Sequence, residues 1–180
     1  MANPSLVVVL AEDRRQQRFI REYLRHFCEP HQIRLAPLPA GGSGEQFVRK
    51  HYASEVKAYR SRAARAGTAL FIAIDADTGT VAARRTQLAA ILAEAALPPR
   101  TATEAVVHII PKRNIETWLF CLTGTAVNEE TDYKSQDPRV DNLVKPAAVT
   151  FMEWNRPNAA VPPHGIASLT EAFIELRRLV

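Results

Sequence analysis

Acidic side chains follow two apolar segments of the chain, each at the point where a β-strand would end. Glu12 comes directly after residues 6–11, and Asp75 and Asp77 follow residues 69–74. The carboxyl ends of parallel strands form the ligand-binding edge of an open α/β sheet, so we expect all three carboxylates to project there. Converging carboxylates repel one another unless a cation or a proton intervenes. The pattern therefore predicts a Mg²⁺ site, or a Mn²⁺ site, and phosphoryl chemistry.

The two aspartates are the more specific part of this pattern. Residues two apart in an extended segment face the same way, so Asp75 and Asp77 would place two like charges side by side. Glu12 alone has an equally good structural explanation. An acid that follows a strand often caps the next helix, and Asp13 is suited to the same task.

A second charged segment follows the apolar run 105–110. Lys112 or Arg113 could neutralise the charge that develops on a phosphate. Glu116 falls in the first turn of the following helix, where it either favours the helix dipole or reaches a metal ion. The candidate catalytic residues are thus Glu12, Lys112 and Glu116. The candidate metal ligands are Glu12, Asp75, Asp77 and Glu116.

The chain carries a mild basic excess, with a formal net charge of +4 and a pI of about 9.3 over 180 residues. This excess is compatible with a polyanionic partner and equally with an ordinary basic surface. Much of it falls on two expected helices, whose basic faces would either be solvated or follow a phosphate backbone. The candidate nucleic-acid contacts are Arg14, Arg15, Arg18, Arg49, Lys50, Lys57, Arg60 and Arg113.

Apolar runs alternate with amphipathic stretches, which is typical of an α/β fold with a central, mostly parallel sheet flanked by helices. We expect strands over 5–11, 33–38, 69–74 and 105–110, and helices over 14–28, 45–66 and 80–96. Asn114 could cap a further helix that Gly124 would stop. Residues 1–124 would form this core. Residues 125–165 are polar and proline-bearing, which predicts a long loop with short elements. A capping-box pattern at 168–171 then predicts a C-terminal helix that packs on the same domain.

Several classes of protein are disfavoured. The two cysteines, Cys28 and Cys121, have no metal spacing, which predicts buried, reduced thiols in a cytoplasmic protein. We find no secretory signal at the start and no apolar run of the ~18 residues that a membrane span needs. The glycine-rich stretch 39–44 lacks the P-loop pattern, and the five histidines lack metal-ligand spacing.

Together these residues resemble the Toprim domain, which occurs in type IA and II topoisomerases, bacterial primases and nucleases of the overcoming-lysogenisation-defect type. The resemblance lies in Glu12, in the pair Asp75 and Asp77, and in the βαβ order between them. Residues 110–119 (Ile-Pro-Lys-Arg-Asn-Ile-Glu-Thr-Trp-Leu) are similar to the I-P-x-x-x-x-E-x-W-L stretch of small stand-alone Toprim proteins. One departure is Asp13, which stands where most members have glycine.

The resemblance implies a Toprim-like, Rossmann-like fold and a metal-dependent nuclease that acts on DNA or RNA. It implies Asp75 and Asp77 as magnesium ligands, Glu12 as general acid/base or ligand, and Glu116 as a further ligand. Several stand-alone members accompany an ATPase in phage-defence operons, which implies a defence effector with an ATPase partner. A homodimer is a further expectation.

Two other functions remain open at this point. A Toprim-like scaffold could serve as a binding subunit without catalysis of its own. A phospho-receiver domain could use Glu12 and Asp13 as its acidic pair, Asp75 as the phosphoacceptor and Lys112 as its lysine. The length of the chain and the order Pro111-Lys112 both count against the receiver.

Overall fold

The computed structural model describes residues 4–134, 138–159 and 164–179. Within these residues, parallel strands form a four-stranded sheet in the order β2-β1-β3-β4. This confirms the predicted α/β, Rossmann-like class. The strands are β1 (Leu6–Ala11), β2 (Ile33–Leu35), β3 (Thr68–Ala73) and β4 (Val106–Ile109).

Helices follow each strand and cover both faces of the sheet. Their ends lie within a few residues of the predicted ones up to residue 124. Short 3₁₀ turns span Pro30–Gln32 and Arg177–Leu179. The helices are α1 (Arg14–Leu24), α2 (Gly44–Ala63), α3 (Val81–Glu94), α4 (Ile115–Leu122), α5 (Val140–Trp154) and α6 (Ala167–Leu176).

Strands β1, β3 and β4 are buried on both faces, whereas the edge strand β2 is only partly buried. The alternating side chains of the buried strands divide the core in two. Val7 and Val9 of β1 point into a cluster built with α1, α4, α5 and α6. Val8 and Leu10 point into a second cluster built with α2 and α3. This arrangement explains why β1, β3 and β4 read as largely apolar runs rather than as an alternation of apolar and polar residues.

The order of the strands reverses between β1 and β3. The chain moves from β1 outward to β2, returns through α2 to β3 on the other side of β1, and continues to β4. The helix after β1 packs on one face and the helix after β3 packs on the other. A crevice therefore opens at the carboxyl ends of β1 and β3, the usual ligand position in such folds.

The prediction of a loop over 125–165 is wrong for the fifteen residues of α5. Val140, Val144, Ala147, Ala148 and Phe151 are buried at helical spacing and pack in the first core cluster. Pro146 interrupts the helical hydrogen bonds but is exposed, so water can satisfy the carbonyl that it leaves free. Residues 135–137 and 160–163 of the predicted loop lie outside the described residues.

The C-terminal helix forms as expected, but it does not use the predicted capping box. The N-cap is Ile166, and no side chain caps it. The Ser168 hydroxyl is buried and instead accepts a hydrogen bond from the indole nitrogen of Trp118, at 2.7 Å. The Ser168 side chain therefore bonds within the core and does not cap the helix.

Both cysteines are free thiols and both are buried, as predicted. Burial raises the pKa of Cys28 and of Cys121, which makes each a poor nucleophile. In the described part of the chain, none of the helices has the length and apolar character needed to cross a bilayer.

Replacing Phe151 by alanine tests whether α5 belongs to the core. The Phe151 ring centroid lies 5.0 to 5.9 Å from those of Phe19, Tyr23, Trp118 and Phe173. Phe151→Ala should lower the free energy of unfolding by about 3–5 kcal/mol. Chemical denaturation measures this, with Glu153→Gln on the exposed side of the same helix as the control. A loss below about 1 kcal/mol would show that α5 is not part of the cooperative fold.

Candidate functional site at the carboxyl edge of the sheet

Glu12 and Asp75 meet in the crevice between β1 and β3. The backbone N–H of Asp75 donates to Oε2 of Glu12 at 2.5 Å. The backbone N–H of Glu12 in turn donates to the carbonyl of Ala73 at 3.2 Å, which continues the pairing of the two strands. The predicted convergence of these two acids is therefore present in the structure.

Asp75 is an almost fully buried acid, with 2% of its surface exposed. Its Oδ1 accepts a hydrogen bond from a neutral group, Nε2 of Gln16, at 2.8 Å. Desolvation, and then the charges of Glu12 and Asp13, raise its pKa well above the ordinary value. Desolvation also raises the pKa of Glu12. Each carboxylate is thus held in a place where its negative charge is unfavourable.

Asp77 lies farther out and faces an arginine. Its backbone adopts a left-handed conformation, with φ of 55°, and its side chain is half-exposed. Oδ2 is 3.5 Å from Arg84. Arg84 also donates from Nε to the carbonyl of Asp75 at 2.9 Å and pairs with Glu45 at the start of α2. Arg84 therefore holds the turn that carries both aspartates, while the charge of Asp77 still raises the pKa of Glu12.

Glu116 approaches the same edge from α4. The side chain of Asn114 caps this helix by accepting from the N–H of Thr117, as predicted. Glu116 is buried, and its Oε1 pairs with Arg15, which also contacts Asp141. Its Oε2 is buried and has no hydrogen-bond partner among the described residues.

The glycine-rich loop also reaches this edge, but through packing. A Cβ built on Gly44 would collide with the backbone of Glu12, so only glycine allows α2 to begin so close to the end of β1. The hydroxyl of Ser43 caps α2 by accepting from the N–H of Gln46. The loop thus serves to place α2 against the site.

Lys134 is a residue of this site that the sequence analysis missed. Desolvation acts to lower the pKa of its ammonium group, but the charges of Asp75, Asp77, Glu116 and Glu12 together outweigh it and raise that pKa. It lies in the polar stretch that we expected to be a loop, more than fifty residues from any strand-end acid. We know of no local sequence signal that would have placed it here.

The two basic residues predicted after β4 contact acids beyond α4. Lys112 lies 3.3 Å from Glu130, and Arg113 lies 3.6 Å from Asp132. Both therefore hold the segment that follows α4. The catalytic role predicted for Lys112 and the phosphate contact predicted for Arg113 stay predictions.

The other basic candidates do not form one surface. Arg14, Arg15 and Arg18 line a cleft of about 500 Å³ together with Asp13 and Asp141, beside the carboxylate pair.

The basic candidates on α2 lie on the other side of the sheet. Lys50 and Lys57 are exposed, and Arg49 pairs with Glu45 near the start of the helix. Arg60 pairs with Glu104 at 2.6 Å, near the amino end of β4 and hence away from the carboxyl edge.

The residues that could hold a divalent cation are Glu12 and Asp75, with Asp77 and Glu116 at the margin. The unpartnered oxygen of Glu116 and the unneutralised pair Glu12 and Asp75 fit a cation that prefers oxygen ligands. Over the described ranges, no group of three or more His, Cys, Asp or Glu side chains stands close enough together to hold an ion as arranged. Binding would therefore need Asp77 or Glu116 to turn from its arginine.

Comparisons with protein-family models, curated protein sequences and solved structures found no match.

A third buried acid, Glu175, provides an internal contrast to Asp75. It accepts hydrogen bonds from Arg100 and from the backbone N–H of His108. Burial disfavours its charge, but these partners outweigh burial and lower its pKa. Glu175 is therefore a buried carboxylate that is well neutralised, whereas Asp75 is one that is not.

Neutralising these two acids should change stability in opposite directions. Asp75→Asn should raise the melting temperature by several degrees near pH 8, since the amide keeps an acceptor for Gln16 and removes an unfavourable charge. Because the folded pKa of Asp75 is raised, wild-type stability is greatest below the unfolded pKa and falls as pH rises through the folded one. The gain should therefore shrink towards pH 4, as thermal unfolding across this range would show.

Glu175→Gln serves as the matched control. It should cost about 3 kcal/mol near neutral pH, because it leaves Arg100 poorly compensated. The folded pKa of Glu175 is lowered, so its contribution is present above the unfolded pKa and is lost as pH falls through the folded one. Destabilisation of the protein by both substitutions at pH 8 would contradict the contrast.

Proposed function

We propose that this protein is a Toprim-type, metal-dependent phosphodiesterase that cleaves nucleic acid. The observation that carries the proposal is the buried pair of Glu12 and Asp75 at the point where the strand order reverses. Nothing in core packing calls for two acids with raised pKa values there. Acids kept in unfavourable positions inside a crevice are typical of functional sites.

In this proposal Glu12, Asp75 and Asp77 would hold Mg²⁺ or Mn²⁺, with Glu116 as a further ligand. The bound ion would supply an activated water and would stabilise negative charge on the phosphate. Glu12 is the acid best suited to exchange a proton, because it is less buried than Asp75 and its pKa is already raised. Arg84 would act on the geometry of the site by holding the backbone of Asp75.

The cleft beside the pair is suited to the phosphate backbone of the substrate. Arg14 and Arg18 line it, and neither is within 4 Å of a carboxylate oxygen in the described part of the chain. Arg15 is committed to Glu116 and Asp141. We therefore assign backbone contact to Arg14 and Arg18 in preference to the basic residues of α2.

A binding subunit without catalysis is the second candidate function. Its specific support is that Asp77 and Glu116 are each engaged by an arginine. A phospho-receiver is less well supported, because its phosphoacceptor Asp75 would be 2% exposed and hydrogen-bonded to Gln16. The proposal also includes control by an ATPase partner, which the resemblance to stand-alone Toprim proteins implies.

Cleavage assays test the proposal directly. The protein should cut labelled single-stranded or double-stranded DNA or RNA with Mg²⁺ or Mn²⁺, and not in EDTA. Glu12→Gln and Asp75→Asn should each lower the rate by more than about 100-fold, because even the outer-shell partners of metal ligands are worth ~10–100-fold. Asp75→Asn is informative because it should remain folded.

Lys145→Gln is the control for this assay, since Lys145 is exposed on α5 and is outside the proposed site. It should cleave at the wild-type rate. If Asp75→Asn cleaves at the wild-type rate, the proposal that this site is a phosphodiesterase is wrong. A wild type that neither cleaves any of these substrates nor gains stability with Mn²⁺ would favour the binding subunit.

A further inference from the structure

We propose that Gln16 is the positioning residue of the carboxylate pair, because its amide holds the Asp75 carboxylate in a fixed orientation to receive the divalent cation. The inference rests on the proposed function, since it concerns how that same site binds its metal. Gln16 acts through Asp75 and contacts neither the cation nor the substrate. Its removal should therefore weaken metal binding while the fold persists.

The side chain of Gln16 lies between the two acids of the pair. Its Nε2 donates to Oδ1 of Asp75 at 2.8 Å, and its Oε1 accepts from the backbone N–H of Glu12 at 3.1 Å. The same N–H also donates to the carbonyl of Ala73 at 3.2 Å, so the sheet and the amide share it. The amide thereby joins the end of β1 to the acid that follows β3.

These two hydrogen bonds fix which way the amide faces. A backbone N–H can only donate, so the amide oxygen must be the group that faces Glu12. The amide nitrogen is then turned towards Asp75, where it can only donate. This arrangement suits an ionised carboxylate, which accepts and does not donate. It also leaves the other lone pairs of that carboxylate for a cation.

Gln16 is itself held in place by helix α1. It is 1% exposed, and its backbone N–H donates to Oδ1 of Asp13, the N-cap of the helix, at 2.8 Å. Phe19 and Ile20, in the next turn, are buried in the first core cluster. A side chain on a capped and well-packed turn has few alternative positions, so it can fix the group that it contacts.

Two further hydrogen bonds at Asp75 involve its backbone. Its N–H donates to the carboxylate of Glu12, and its carbonyl accepts from Arg84. These bonds place the turn, whereas Gln16 contacts the carboxylate itself. Metal-ligating carboxylates are usually hydrogen-bonded in this way, and the loss of such a partner typically weakens metal binding or activity by ~10–100-fold.

Gln17 provides a matched control on the same helix. It is also buried, and its Nε2 donates at 2.7 Å to the carbonyl of Ala36, a backbone group rather than a proposed metal ligand. Methionine is close to glutamine in length and cannot make either bond. Gln16→Met and Gln17→Met therefore remove similar buried hydrogen bonds, and only the first of these involves Asp75.

Both substitutions should lower the melting temperature in EDTA at pH 8 by about 2–4 °C, because each leaves a buried polar group without its partner. Gln16→Met should also weaken Mn²⁺ binding by about 10- to 100-fold. Gln17→Met should bind Mn²⁺ within about twofold of wild type, since its hydrogen bond does not involve a metal ligand. A glutamine that only stabilised the helix would not separate the two variants.

The experiment is a calorimetric Mn²⁺ titration, paired with thermal unfolding in EDTA, on wild type and the two variants. Asp75→Asn, alone and combined with Gln16→Met, completes a mutant cycle that needs no metal. Gln16→Met should lower the melting temperature less in the Asp75→Asn protein than in wild type. The reason is that a hydrogen bond to a neutral acceptor contributes less than one to a charged group.

The outcomes distinguish this inference from the proposed function. If wild type binds Mn²⁺ and Gln16→Met binds it no more weakly than Gln17→Met, the metal site holds and the role of Gln16 is wrong. Equal losses of melting temperature in the wild-type and Asp75→Asn backgrounds would also contradict that role. If wild type does not bind Mn²⁺, the metal site itself fails and the positioning role fails with it. Weaker binding in Gln16→Met alone, together with coupling to Asp75 in the cycle, supports the inference.

Discussion

The site depends on a repulsion that the fold only partly relieves. Glu12 and Asp75 are joined through one backbone hydrogen bond, and burial raises the pKa of both. Glu175 shows that this chain can neutralise a buried acid, because there it supplies Arg100 and a backbone N–H. At Asp75 it supplies a neutral amide from Gln16 instead. A site left short of positive charge in this way is suited to a ligand that brings its own.

The parallel pairing of β1 and β3 is what makes this repulsion persist. The two strands are in register from Leu6 and Thr68 to Ala11 and Ala73, so the acids after them cannot separate without breaking the centre of the sheet. Arg84 adds to this by binding the carbonyl of Asp75 and the carboxylate of Asp77. Relief must therefore come from protonation, from a cation, or from a side chain that can move.

The sequence was sufficient for features that depend on neighbouring residues. Strand ends placed Glu12 beside Asp75, and Asp13 and Asn114 cap their helices as local pattern indicates. Features that depend on distant residues could not be read. The pairing of Arg15 with Glu116 spans 101 residues, and the charge of Lys134 acts on acids that lie far from it in the sequence. The wrong prediction of a loop over α5 has a different cause. The apolar residues of α5 do have helical spacing, but its proline favoured a loop in the prediction.

The basic excess of the chain is a poor guide to where a polyanion would bind. On α2 the excess is largely offset, since Arg60 pairs with Glu104 and Arg49 with Glu45. Near the carboxylates the balance differs, because Arg14 and Arg18 face a cleft while Arg15 is used within the protein. Asp13, the neighbour of Glu12, lines this cleft, so the negative charge nearby would oppose the binding of an anion there. Under the proposed function, substrate would therefore bind most favourably after a cation has neutralised Glu12 and Asp75.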